Sequence, residues 1–107
     1  FVLEDNTIQP FVTIGDNVVM WSGNHIGHHS HIADHVFIAS HVVVSGHCRV
    51  GKNSHLGVNA TLRNGLSIAD GTMIGMGANV VSDTSPFNVY IGNPAKATGS
   101  DAREVEQ

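Results

Sequence analysis

The chain has 107 residues, of which 5 are Lys or Arg and 9 are Asp or Glu, so its formal net charge is −4. This length holds one domain with a modest core, and the scarcity of basic residues argues against nucleic acid or an anionic membrane surface as a partner. No uninterrupted apolar run approaches the roughly 18 residues of a membrane span. The single cysteine, Cys48, excludes an internal disulfide and favours a reducing, cytoplasmic compartment.

The first eighty residues carry a six-residue repeat. From Val2 to Val80, every sixth residue is large and apolar, without a break. Neither a helix, with a period of about 3.6 residues, nor a flat strand, with a period of about 2, gives this spacing. The chain must therefore turn a corner in each hexad, which predicts a β-solenoid. The residues of this apolar column are Val2, Ile8, Ile14, Met20, Ile26, Ile32, Ile38, Val44, Val50, Leu56, Leu62, Ile68, Ile74 and Val80.

Two further columns agree with the repeat. Four places after each apolar residue the side chains are mostly small or β-branched, as a narrow interior requires. From residue 17 to residue 77, the residue three places after each apolar one is Gly, Asn or His, and these tolerate positive φ readily and therefore predict the corners. Three hexads close a triangular coil, so that residues i and i+18 stack on one face. The corner column is Asn17, Gly23, His29, His35, His41, His47, Asn53, Asn59, Gly65, Gly71 and Gly77.

The repeat ends after Val80. Residues 82–96 are predicted to form a loop and then a short apolar strand that ends at Gly92-Asn93-Pro94. Residues 97–107 are polar, and Ser100 or Asp101 is a candidate cap for one helical turn. We expect this tail to be frayed or docked on a neighbour. The chain thus divides into a β-helix with its closing loop, residues 1–96, and a C-terminal tail, residues 97–107.

The hexads, written [LIV]-[GA]-x-x-[small]-x, and the closing run IGMGANVVSDTSPFNVYIGNPAK resemble the hexapeptide-repeat acyltransferases. The segment GNHIGHHSHIADHVFIASHVVVSGHCRVGKNSHLGVNATL most resembles the sugar acetyltransferases of the sialic-acid O-acetyltransferase and bacillosamine N-acetyltransferase type. The resemblance covers about residues 8–96. It implies an all-β, left-handed parallel β-helix that assembles as a homotrimer, with active sites between adjacent prisms. Such relatives usually carry an N-terminal Rossmann-like domain, so we expect a longer parent protein or a partner that caps the first coil.

The resemblance also implies a reaction. Acetyl-CoA would donate an acetyl group directly to an amine or hydroxyl of a sugar, expected to be nucleotide-linked, with a histidine as general base. His28 matches the family's catalytic His in the pattern I-x-H-x-x-x-I. Imidazole suits the task because its charge changes near neutral pH. The repeat itself does not require a His at this position, whereas His29 and His47 are explained as corner residues and His31 as an outward strand residue.

Other site residues follow from the same resemblance. The backbone N–H of Gly46 matches the donor to the reaction's oxyanion and also contacts the cofactor. The pantetheine-lining positions are Val58, Gly75, Met76 and Gly77. The acceptor-side residues are His25, His29 and Phe37. Asp34 and Glu4 are alternative carboxylates that would orient His28, and Cys48 falls in the inward column and is expected to be core rather than a nucleophile.

Two alternatives remain open at this point. A γ-type carbonic anhydrase shares this fold and binds zinc through three His, but that family pairs two ligands five residues apart, and no two histidines here have that separation. No metal ligand set is therefore assigned. A non-catalytic trimerisation or scaffold module is the other alternative, since a solenoid fold alone does not imply an activity.

Overall fold

The structure, a computed structural model, describes residues 1–105, and these are almost entirely strand and turn. Residues 7–80 form thirteen two-residue strands, one in each hexad. They are β1 (Thr7–Ile8), β2 (Thr13–Ile14), β3 (Val19–Met20), β4 (His25–Ile26), β5 (His31–Ile32), β6 (Phe37–Ile38), β7 (Val43–Val44), β8 (Arg49–Val50), β9 (His55–Leu56), β10 (Thr61–Leu62), β11 (Ser67–Ile68), β12 (Met73–Ile74) and β13 (Asn79–Val80). Two longer strands follow, β14 (Asn88–Gly92) and β15 (Ala95–Asp101), and then a 3-10 turn at Ala102–Glu104.

The strands stack into three parallel sheets, which are the faces of a triangular prism. The first sheet has the order β1-β4-β7-β10-β13, the second β2-β5-β8-β11, and the third β3-β6-β9-β12, which β14 and β15 extend. In each sheet residue i aligns with residue i+18, as Thr7 does with His25 and Ile14 with Ile32. The predicted left-handed parallel β-helix is confirmed.

The turns form three edges. At the first corner the chain passes from the first sheet to the second, in residues 27–30, 45–48 and 63–66. At the second corner it passes from the second sheet to the third, in residues 33–36, 51–54 and 69–72. At the third corner it returns to the first sheet, in residues 21–24, 39–42, 57–60 and 75–78.

The core lies inside the prism and consists of the two inward columns. Met20, Ile26, Ile32 and the apolar residues above them are fully buried. The first coil is open by comparison, since Ile8 remains 41% exposed at the end of the prism. The predicted inward orientation of the apolar column is therefore confirmed for the coils that have another coil both above and below them.

The corner column has the predicted backbone conformation. The φ angle is 61° at His35 and 59° at His41, in the left-handed region that Gly and Asn occupy at the equivalent places. From His29 to Gly77, each corner amide donates to a carbonyl of the preceding coil, as His35 N–H does to Asp16 O at 3.0 Å and His41 N–H to Ser22 O at 3.0 Å. The N–H groups of these corner residues are thus satisfied by the neighbouring coil.

The C-terminal tail, expected to be frayed or docked on a neighbour, pairs through β15 with a strand of its own chain. Strand β14 pairs in parallel with β12, and β15 pairs in antiparallel with β14 within the same chain. Asp101 then caps the 3-10 turn by accepting from Arg103 N–H at 2.9 Å, so Asp101 rather than Ser100 is the cap. The added strands cover the edge of the third sheet, which would otherwise expose unpaired backbone groups. The last two residues of the predicted tail, 106–107, lie outside the described residues.

Helix is limited, in residues 1–105, to that single 3-10 turn. No helix in this range has the length and hydrophobicity needed to cross a membrane.

Candidate active site

The structure brings His28 and Gly46 together at the first corner. His28 stands in the turn between β4 and β5, and Gly46 occupies the equivalent place one coil further on. A Cβ built on Gly46 would lie 2.8 Å from His28 Nε2, so only glycine leaves room for the imidazole in this position. The two predicted catalytic residues are therefore neighbours, with Nε2 of His28 facing the backbone of Gly46.

The amide of Gly46 is a hydrogen-bond donor without an acceptor. Gly46 is buried, and its N–H has no partner among the described residues. Two of the equivalent amides at the second corner are satisfied, because Asp16 N–H donates to Asp34 Oδ1 at 2.7 Å and Lys52 N–H to Asp70 Oδ1 at 2.9 Å. An unpaired amide in a protected position favours a ligand that brings an acceptor.

Gly27 is a residue of this site that the sequence analysis missed. A Cβ built on Gly27 would lie 2.5 Å from the nitrogen of Gly46. Glycine at this position therefore keeps the free amide uncovered from the side of the preceding coil. The i+19 relation between residues 27 and 46 is a signal that could have found it.

Within residues 1–105, no carboxylate forms a hydrogen bond to the imidazole of His28. Its Nδ1 lies 3.1 Å from His29 Nδ1, and its backbone N–H donates to Gln9 Oε1 at 2.9 Å. Neither Asp34 nor Glu4, the two alternatives from the sequence, forms a hydrogen bond to the imidazole among the described residues. Asp34 belongs instead to the second corner, where it accepts from Asp16. The side chain that contacts Nδ1 of His28 is that of His29.

Three histidine side chains meet at the first corner. The rings of His29 and His47 stack with centroids 4.8 Å apart and planes at 5°. The ring of His28 is perpendicular to both, at centroid distances of 5.3 Å and 4.9 Å. Each of the three offers a nitrogen within 4.8 Å of the other two, and all three side chains are exposed. His25 lies half-buried on β4, three residues before this cluster.

A second feature is an apolar groove of about 560 Å³ on the third sheet and the adjoining third corner. Its lining includes Val58, Gly75 and Met76, three of the predicted cofactor residues, together with Phe37. Phe37 stacks on His55 at 4.8 Å and meets the edge of Trp21 at 5.2 Å. Gly77, the fourth residue predicted to line the pantetheine arm, lies at the same corner outside the groove lining. The volume and the apolar lining suit the non-polar part of a ligand.

The groove and the histidine corner lie on different parts of the prism. The first corner joins the first and second sheets, whereas the groove occupies the third sheet, which is the opposite face. Phe37, Val58, Gly75 and Met76 are therefore not brought to His28 within one chain. Only a second copy of the prism could set the groove of one chain beside the corner of another.

Cys48 is part of the core, as the sequence predicts. Its side chain is fully buried, and Sγ donates to the carbonyl of Arg63 at 3.2 Å. Burial raises the pKa of the thiol. A neutral, enclosed thiol is a poor nucleophile, so this residue offers no route to an acyl-enzyme.

Comparison with known proteins supports the resemblance. Residues 11–46 match the bacterial transferase hexapeptide (six repeats) family. No curated protein matches the chain. Solved structures do, and three of them are acetyltransferases with 26–29% sequence identity to the chain.

The first is soybean serine acetyltransferase, with 27% identity, a TM-score of 0.79 and coverage of 81% of this chain and 40% of that one. The acetyltransferase domain of PglB from Neisseria gonorrhoeae has 26% identity, a TM-score of 0.71 and coverage of 88% and 55%. A mutant perosamine N-acetyltransferase from Caulobacter crescentus, solved with CoA and GDP-perosamine, has 29% identity, a TM-score of 0.72 and coverage of 94% and 58%. The chain thus spans 40–58% of the length of these proteins. The predicted resemblance to hexapeptide-repeat acetyltransferases is confirmed.

Proposed function

We propose that this chain is the β-helix part of an acetyl-CoA-dependent acetyltransferase that acetylates an amine or hydroxyl of a nucleotide-linked sugar. The observation that carries the proposal is the imidazole of His28 beside the unpartnered amide of Gly46. A base and an oxyanion donor side by side are what acyl transfer from a thioester requires. The sugar acceptor is supported by the likeness to the perosamine enzyme, whose structure contains CoA and GDP-perosamine.

The proposed reaction is a direct transfer. Nε2 of His28 removes a proton from the acceptor as its nitrogen or oxygen attacks the thioester carbonyl. The N–H of Gly46 donates to the oxygen that becomes negative in the tetrahedral intermediate. The intermediate collapses with loss of the CoA thiolate, to which His28 returns the proton. His29, 3.1 Å from Nδ1, takes part by holding the orientation of the ring.

The complete site is proposed to form between chains of a homotrimer. The groove with Val58, Gly75 and Met76 would receive the pantetheine arm, and Gly77 would line its continuation along the third corner. A Cβ on Gly75 would lie 2.8 Å from Ile91 Cγ2, so glycine at this position avoids crowding the Ile91 side chain beside the groove. Phe37 is proposed to contact the acetyl group or acceptor from the groove side, and His25 and His29 from the corner side. A cytoplasmic location, where the free thiol of Cys48 stays reduced, is part of the same proposal.

The test measures kcat/KM and acetyl-CoA binding on the same two variants, so that a loss of catalysis is distinguished from a loss of binding. His28→Ala is expected to lower kcat/KM by roughly 10²–10⁴-fold because it removes the base, while calorimetric titration still shows acetyl-CoA binding. His31→Ala, an exposed histidine on the second sheet, is the matched control and should retain wild-type kinetics. Wild-type kcat/KM in His28→Ala would exclude the base assignment. Absence of acetyl-CoA binding by a trimeric wild-type sample would favour the scaffold or zinc-enzyme alternative.

A further inference from the structure

We propose that His28, His29 and His47 form a binding site for a divalent transition-metal ion, and that the bound ion blocks acetyl transfer. The first part stands on the geometry of the first corner alone. The second part rests on the proposed function, because it assumes that His28 is the base. Zinc is the probe used below.

The three imidazoles already lie close to the spacing that zinc needs. Tetrahedral zinc with Zn–N bonds of about 2.0–2.1 Å places its ligand nitrogens about 3.3 Å apart. The nitrogens of His28 and His29 are 3.1 Å apart, and all three ligand nitrogens lie within 4.8 Å of one another. The three side chains are exposed, and the stacked rings of His29 and His47 would have to rotate about their χ angles to direct their lone pairs at one ion.

The fold places these side chains together for a structural reason. His29 and His47 are corner residues one coil apart, both with positive φ, at 61° and 59°. The N–H of His47 donates to the carbonyl of His28 at 2.9 Å, which holds the two turns in register. The rings therefore project from a fixed pair of corners and stack at 4.8 Å.

The other corner histidines lack this arrangement and provide the comparison. Residue i+18 aligns with residue i along the prism, so the neighbours of His41 are Gly23 and Asn59. His41 has the same backbone conformation as His47, with φ of 59° at each. Its surroundings offer no second imidazole from the neighbouring coils.

The chemistry of the ligand set indicates which ions fit. Three neutral imidazoles favour zinc, nickel or copper over magnesium or calcium, which prefer oxygen ligands. Three protein ligands leave the fourth tetrahedral position for water or an incoming substrate. Coordination through Nδ1 of His28 leaves the proton of the neutral ring on Nε2, the atom that faces Gly46. An Nε2 that already carries a proton cannot remove one from the amine or hydroxyl of the sugar. The bound ion would therefore inhibit acetyl transfer.

The binding test is calorimetric titration of the chelator-treated full chain with Zn²⁺. Wild type is expected to bind one ion per chain saturably, and His47→Asn to bind at least tenfold more weakly. Asparagine preserves the turn, since Asn53 has φ of 60° at a corner of the same kind. His41→Asn is the matched control and should keep wild-type affinity. Equal affinity in wild type and His47→Asn, or no saturable binding by wild type, would overturn the proposal.

Inhibition is tested separately, with each protein compared with its own zinc-free rate. Zinc should lower the acetyl-transfer rate of wild type and of His41→Asn at the concentration that saturates the calorimetric site. His47→Asn should require at least tenfold more zinc for the same loss. Zinc that binds wild type without slowing it would contradict the blocking role and leave the site itself standing. A chain without acetyltransferase activity would still give the binding result, so the two proposals fail independently.

Discussion

At the scale of single residues, the position within the hexad decides which side chains are chemically available. Gly46 and Cys48 are two residues apart on one corner, yet one offers an unpartnered amide and the other is enclosed in the core. The Cys48 thiol has a raised pKa because burial disfavours the thiolate. A raised pKa leaves the neutral thiol as the dominant form at neutral pH, and this form is unreactive.

Cys48 is therefore expected to resist thiol–disulfide exchange with a chromogenic aromatic disulfide in the folded chain. Its reaction with a thiol reagent at neutral pH should be at least roughly 100-fold slower than in the urea-unfolded chain, because only locally opened molecules expose the sulfur. The reaction is followed by the absorbance of the released chromophore. Comparable rates in the folded and unfolded chain would mean that Cys48 is accessible, and would reopen an acyl-enzyme route.

At the scale of elements, each turn depends on one residue with positive φ. His41 adopts φ of 59° and is exposed, so its side chain contributes little packing, and its backbone conformation is the main demand on the residue type. A β-branched residue is strained in this region, whereas Asn or Gly is not.

We expect His41→Val to destabilise the fold by about 1–3 kcal/mol through backbone strain. His41→Asn should remain within about 0.5 kcal/mol of wild type, as a surface substitution without strain does. Urea unfolding of both variants, followed by circular dichroism, measures the difference. If the two variants had equal midpoints, the corner conformation would not be what selects His at this position.

The repeat explains why the coil was predictable from the sequence, whereas β15 and the side-chain contacts of His28 were not. One period of six residues determines the inward columns, the corners and the i+18 register, and the structure agrees at each of them. Strand β15 has no such period, because its sequence AKATGSD is largely exposed and is held by pairing with β14. The His28–His29 contact and the loss of Asp34 as a partner depend on side-chain directions within one turn, which the period does not specify.

At the scale of the whole molecule, the prism separates two halves of the proposed site. The proposed base and oxyanion donor lie on the first corner, and the apolar groove lies on the opposite face. Cyclic assembly of identical chains can place each corner against the groove of the next chain. The exposed Met76, at 80% of its possible surface, sits at the groove and would be covered by such a neighbour or by the cofactor.

Mixing two inactive variants tests this arrangement directly. His28→Ala lacks the base, and Met76→Glu places a charge in the groove, so each alone should lose most activity. Met76→Leu keeps the groove apolar and should remain active as the matched control. Random reassembly of equal amounts gives about one intact site in four if each site combines two chains of a ring, so about 25% of wild-type activity should return.

Differently tagged chains establish by pull-down that the trimers have mixed. Mixed trimers with no activity above that of their parents would place both halves of the site in one chain, which the opposite positions of the corner and the groove argue against.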